Sequence, residues 1–224
     1  MTYLRESDIR RTVNRYSQRF SKYGHSQEAL GWGQKGRQLL RFEILANYWS
    51  FEGKYVVDLG AGFGDLFPML APMGISNYIG IELTPALVEH GNLLYSADPR
   101  FELRHGDIST EQSIPDCDVI LISGLFNFKL LESDNYEFIE SVLRRSYSAA
   151  TDGVAANFVT DRVDYEEELM FYASPERLLS IGLSLTKRLV LRSDYMPFEF
   201  SLFLDARNGF EPDIAVFEDF NRHG

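Results

Sequence analysis

The stretch VVDLGAGFGD, residues 56–65, decides how the chain is read. A β-branched apolar run over Tyr55–Leu59 passes directly into three alternate glycines, Gly60, Gly62 and Gly64, and a helical stretch follows at 66–73. Without β-carbons, a strand-to-helix turn can bring its backbone against a ligand and present amide N–H groups to it. Ala61 completes this turn. Asp58 lies inside the motif, where an anion opposes a pyrophosphate and suits a cationic ligand.

Outward from this point the pattern repeats. Apolar runs at 78–83, 119–123 and 154–159 and a short strand at Phe101–His105 alternate with helical stretches at 85–97 and 135–150. Strands separated by helices imply right-handed crossovers, so the expected fold is α/β, a doubly wound and mainly parallel sheet covered on both faces. After a helix near 175–182, the runs 185–191 and 198–204 flank the turn-like SDYMP, as two antiparallel strands would. The first 50 residues read as helical, with Leu39, Leu40, Phe42, Ile44, Leu45, Tyr48 and Trp49 spaced so that several share a face that packs on the rest.

The other strand ends carry acids. Glu82, followed by Leu83, is placed to accept hydrogen bonds from a ribose diol. Asp107 can accept from an adenine amino group with Ile108 against the ring; the bland alternative is a helix N-cap, since Ser109 and Thr110 follow.

Composition narrows the function. The 224 residues fit one domain, and 22 basic against 33 acidic residues leave a formal charge of −11, the wrong sign for neutralising nucleic-acid phosphates. A single cysteine, Cys117, excludes an internal disulfide and multi-cysteine metal sites, so no metal is expected. No run reaches the ~18 apolar residues of a membrane span, and the first twenty residues lack the apolar run of a secretion signal. A cytoplasmic protein without membrane partners is the expectation.

With these residues in view, the chain resembles the class I S-adenosylmethionine-dependent methyltransferases over about residues 53–160. DLGAGFG is similar to their glycine motif, YIGIEL to their ribose-binding segment, GDI to their adenine-contacting segment and DVILISG to their fourth strand. The resemblance implies a seven-stranded sheet with an antiparallel last strand, S-adenosyl-L-methionine as cofactor and S-adenosyl-L-homocysteine as product. It also implies that Asp58 and the glycines surround the methionine moiety, Glu82 holds the ribose, Asp107 and Ile108 frame adenine, and Ser123 lies nearby after strand four. YGHSQEALGWGQKGRQLLRFEIL, SGLFN, EELMFYASPE and LVLRSDYMPFEFSLFL look like a group of bacterial methyltransferases of small molecules.

Under that resemblance, residues 1–224 form one methyltransferase domain: a helical lid at 1–52, a cofactor core at 53–160, and a substrate-side helix and hairpin at 161–224. Tyr16, Tyr23, Trp32 and Arg41 would close over the cofactor, aromatic faces on its sulfonium and the guanidinium on its carboxylate. Methyl transfer from a sulfonium is an in-line displacement that needs alignment more than a strong base, and the acceptor would be the oxygen or nitrogen of a small molecule. The loop after strand four, SGLFNFK, lacks the Asn/Asp-Pro-Pro-aromatic motif of enzymes that methylate adenine or glutamine amides, in keeping with the charge. Asn127 is the first candidate for orienting the acceptor, with Asp161 as a base or amine-binding acid and Tyr172 as a third contact; Tyr195 and Glu199 flank the last turn. The basic residues Arg5, Arg10, Arg11, Arg15, Arg19 and Lys22 suggest an acceptor with a carboxylate or phosphate. A non-catalytic cofactor-binding regulator or subunit, an aminopropyltransferase and a nicotinamide-dependent dehydrogenase stand as alternatives, the last opposed by Asp58 and by G-x-G-x-G spacing. The chain is expected to work as a monomer or homodimer.

Overall fold

A computed structural model describes residues 4–32, 37–110, 114–213, 215–218 and 220. The parts of the expected lid at 1–3 and 33–36, and the last four residues of the expected substrate side, lie outside them.

Seven strands form one sheet. β1 (Tyr55–Leu59), β2 (Asn77–Glu82), β3 (Phe101–His105), β4 (Cys117–Ile122) and β5 (Ala150–Val159) run parallel, and β6 (Arg188–Arg192) and β7 (Glu199–Asp205) close the sheet in the order β3-β2-β1-β4-β5-β7-β6. β7 is antiparallel to both β5 and β6, with Ala156 opposite Leu202 and Leu191 opposite Leu202 from the other side. The expected hairpin is therefore present, but its second strand sits inside the sheet and β6 takes the edge. A small second hairpin, β8 (Phe210–Glu211) with β9 (Val216–Phe217), follows.

Helices cover both faces: α1 (Glu6–Tyr23), α2 (Arg37–Ala46), α3 (Phe67–Leu70) with a 3₁₀ turn at Ala71–Met73, α4 (Pro85–Tyr95), α5 (Asn135–Ala149) and α6 (Pro175–Leu185). Alternate side chains of the central strands explain why both faces need cover. Val57, Leu59, Ile120 and Ile122 point to one side and pack with Phe138 and Val142 of α5. Val56, Val119 and Leu121 point to the other, against Phe42 and Leu45 of α2 and Phe67 of α3. Trp49 follows the end of α2 and joins that core, whereas Leu39 is half exposed. Leu185 continues an apolar run in sequence yet ends α6 rather than starting β6, because its turn is still closed by Thr186 N–H on Gly182.

Chain order reverses between β1 and β4, which lie side by side although β2 and β3 come between them in sequence. At such a switch point the loops leaving the two strands diverge and open a crevice at their carboxyl ends.

Candidate active site

The crevice is real and lined from both sides. It encloses about 1000 Å³, open solvent at its mouth included, and its walls include Asp58, Gly60, Ala61, Gly62, Glu82 and Leu83 from the β1 and β2 ends. Asp107 and Ile108 close one side, Ser123 and Gly124 the β4 side, and Tyr16, Leu30 and Trp32 the top.

Gly60 and Gly62 take φ of 73° and 59°, and a Cβ on them would press on Leu125 at 2.9 Å and Leu30 at 3.0 Å, so both turns need glycine. Gly64 is different. It does not line the cavity, and a Cβ there would meet Phe101 at 2.7 Å, so the third glycine of the motif serves core packing rather than the ligand wall expected of it.

Asp58 is 3% exposed and accepts a 2.7 Å hydrogen bond from the Tyr78 hydroxyl. Burial pushes its carboxyl up to about 7 despite that bond, with Glu82 and Asp65 adding repulsion. A cation entering the cavity would relieve this cost. Glu82 accepts from the Gly62 N–H at 3.1 Å and the Thr84 N–H at 2.8 Å, and burial still raises its carboxyl. The glycine turn holds one of its roughly four lone-pair sites and the residue before α4 a second, leaving acceptor capacity for a pair of hydroxyls. Tyr16, half-buried near Glu82, has its phenol raised by desolvation first and by that carboxylate second, so it stays neutral.

Asp107 accepts the Ser109 N–H at 2.8 Å within a turn that no helix continues, so it is not an N-cap, and it faces the cavity. Arg145 of α5 holds the carbonyls of Ile108 and Thr110 and so fixes this segment. Ser123 accepts from Asn157 Nδ2 at 3.1 Å, and Asn157 Oδ1 takes the Gly124 N–H at 2.9 Å, which shapes the turn after β4.

These donors and acceptors fit a nucleoside carrying a cationic amino group: an unneutralised buried carboxylate at Asp58, a turn-held carboxylate at Glu82, and a flat apolar side at Ile108 and Leu83. Among the described residues no cluster of three or more His, Cys, Asp or Glu could hold a metal. No helix among them is long and apolar enough to cross a membrane.

A second cavity adjoins the first through Tyr16, Leu30, Trp32, Gly124 and Phe128. Asn127 and Tyr172 both line it. Asn127 Oδ1 accepts the Val159 N–H at 3.3 Å, which leaves its amide N–H₂ to offer, and the Tyr172 hydroxyl accepts the Glu167 N–H at 2.7 Å. Backbone bonds from Phe171 to Asn127 and from Lys129 to Leu169, each 3.0 Å, stitch the segment before α6 to the loop after β4 and make one wall.

Three expectations fail here. Asp161 lines neither cavity: it is exposed, pairs with Arg162 at 3.4 Å, and its backbone is tied to Ala173. Arg41 lines only the second cavity, and its guanidinium is taken by the carboxylate of Glu199, with Nε at 2.5 Å and Nη2 on the other oxygen, under the Trp32 ring at 4.3 Å. It meets an acid of the chain instead of the carboxylate of a cofactor. Tyr23 is exposed at the end of α1 beside Lys22 and lines neither cavity. Tyr195 bonds Ser201 at 2.8 Å as a hairpin residue.

No protein-family model and no curated protein sequence matches the chain. Solved structures do. Magnesium protoporphyrin IX methyltransferase (ChlM) from Synechocystis PCC 6803, solved with bound SAH, is similar with a TM-score of 0.65 at 14% identity over 89% of this chain and 99% of that one. An O-methyltransferase family protein from Burkholderia thailandensis gives 0.66 at 12% identity, covering 92% of this chain and 68% of that one. A TehB-like SAM-dependent methyltransferase from Corynebacterium glutamicum gives 0.54 at 20% identity, over 88% and 99%. Strand order, the antiparallel β7 and these likenesses agree: the chain has the Rossmann-like fold of the class I S-adenosylmethionine-dependent methyltransferases.

Proposed function

We propose that the chain is an S-adenosylmethionine-dependent methyltransferase acting on the oxygen or nitrogen of a small molecule. The observation that carries this is the pairing of Asp58 and Glu82 across the glycine turn at the switch point, a buried acid seeking a cation beside a carboxylate preset by two backbone amides. Asp58 would hold the amino group of the cofactor, Glu82 its ribose hydroxyls, and Asp107 and Ile108 its base. S-adenosylmethionine, when bound, supplies a methyl group already activated by positive sulfur.

The chain's own part is then placement and dryness. Tyr16, Leu30 and Trp32 border both cavities and would shield the methyl group from water at their junction. Asn127 orients the acceptor with its free amide donors, and Tyr172 borders the same space. The lid at 1–52, the core at 53–160 and the segment 161–224 act as one unit, since residues from all three line the second cavity.

Isothermal titration tests this reading. One S-adenosylmethionine or S-adenosylhomocysteine per chain is expected, with marked loss in Glu82→Ala. Absence of binding by either molecule, with Glu82→Ala indistinguishable from wild type, would remove the basis of the assignment.

A further inference from the structure

The second cavity has an outward continuation along α1. Arg10, Arg11, Arg15 and Arg19 line a shallow hollow there with Phe128 and Leu169, and among the described residues no acid lines it. Arg15, Phe128 and Leu169 belong to both spaces, so one molecule can reach from the hollow toward the crevice.

Two guanidinium groups share one ring: Arg11 lies 4.4 Å and Arg15 5.2 Å from the centre of Phe128. The ring face attracts each cation modestly, while the two cations repel one another. The chain compensates them unevenly. Asp8 pairs with Arg11 at 3.5 Å, held ionised by the N–H groups of Leu131, Glu132 and Ser133. Arg15 has no carboxylate partner among the described residues. Arg19 spends its donors on the carbonyls of Glu28 and Ala29, which cancel no charge, and Arg10 has only exposed Glu6 at 3.4 Å. Independently of charge, Arg11 Nε and Nη1 and Arg15 Nε are buried donors without hydrogen-bond partners. In a chain of net charge −11, four clustered arginines of which Arg15 and Arg19 have no carboxylate partner among the described residues make a local basic patch.

The second cavity has the opposite character. Its arginines, Arg15, Arg37 and Arg41, are matched in number by Asp164, Glu167 and Glu199, and its walls include Trp32, Phe128, Met170 and Phe198. Its mouth carries apolar side chains in water: Tyr165 is 73% exposed, Leu169 43% and Phe198 40%.

Resting on the methyltransferase reading, we propose that the acceptor is an amphipathic small molecule, with an apolar or aromatic body in the second cavity and a carboxylate or phosphate on the α1 arginines. Its charged end and its methylated atom then lie at opposite ends of the molecule. The hollow selects charge and the cavity selects the body.

Ligand-observed NMR with cinnamate, cinnamyl phosphate and cinnamyl alcohol tests this on the full chain, with and without S-adenosylhomocysteine, whose own binding is read by calorimetry. Both anions should bind about tenfold more tightly than the alcohol, and the tighter anion identifies carboxylate or phosphate as the preferred group. Arg15→Gln should weaken the anions about tenfold and leave the alcohol within about twofold, while Arg15→Lys recovers most of the loss. Added salt should weaken only the anions in the wild-type chain, a readout that needs no variant. Equal binding of alcohol and anions, or anion binding insensitive to both salt and Arg15→Gln, overturns the proposal. If S-adenosylhomocysteine binds in that case, the methyltransferase reading survives alone. Anion binding without any S-adenosylhomocysteine binding overturns both, since the hollow then serves no methyl acceptor.

Discussion

Replacing Asp58 with Asn should flatten two pH profiles that the wild-type chain shows. Burial raises the Asp58 carboxyl from its ordinary 3.8 to about 7, against the pull of the Tyr78 hydroxyl. Between those values the folded chain keeps a proton that the unfolded chain has released, so stability is greatest below the ordinary value and falls as pH rises toward 7. Three units at ~1.36 kcal/mol each amount to about 4 kcal/mol, and Asp58→Asn, neutral throughout, should be more stable than wild type at pH 8 by up to about that much. Binding shows the reverse slope. An amino cation needs the ionised carboxylate, so affinity of the wild type for S-adenosylhomocysteine should fall about tenfold at pH 6 and about a hundredfold at pH 5 relative to pH 8. Calorimetry at each pH in two buffers of different ionisation enthalpy reads both the affinity and the proton released on binding. Tyr78→Phe removes the bond that lowers Asp58 and should move the midpoint upward. A wild-type affinity that is level across this range, or an Asp58→Asn profile with the same slope, refutes the reasoning.

Three further perturbations follow from the same contacts. Glu82→Ala should weaken S-adenosylhomocysteine by about a hundredfold or more, the worth of two charge-assisted hydrogen bonds at ~1.5–3 kcal/mol each, and Glu82→Gln by less, both measured by calorimetry. Glu199→Ala strands the buried Arg41 guanidinium and should cost about 3–5 kcal/mol in urea denaturation, whereas Arg41→Met with Glu199→Leu should recover much of that loss. Asp8→Ala leaves the N–H groups of Leu131, Glu132 and Ser133 without their acceptor and frees α1, so α1 should become the first site of limited proteolysis while the sheet stays protected in hydrogen exchange.

Much of this architecture is local in origin and so legible in sequence. Tyr55–Leu59 is a near-continuous apolar run because a central parallel strand is covered on both faces, whereas Phe101–His105 alternates, as an edge strand with one covered face does. Asp58, Gly60, Gly62 and Glu82 meet because one turn and one neighbouring strand place them, with the Gly60 N–H on the Ile81 carbonyl at 2.8 Å. What spacing alone leaves hidden is long-range. Arg41 finds Glu199 158 residues away, and Asp8 caps a loop 123 to 125 residues distant. Neither pairing leaves a local trace, and so Arg41 reads as free for a ligand. Gly64 misleads for another reason: a regular glycine repeat does not reveal that the third member meets Phe101 in the core. Tyr78 reads only as an apolar strand residue, and its hydroxyl bond to Asp58 emerges when β1 and β2 pair.

A crystal structure of the chain grown with S-adenosylhomocysteine tests the central claim most directly. The account predicts density in the crevice between the β1 and β4 ends, with both ribose hydroxyls on Glu82, the amino group on Asp58, and the sulfur facing the cavity lined by Asn127 and Phe128. Density elsewhere, or a ligand whose ribose and amino group touch neither Glu82 nor Asp58, would contradict it.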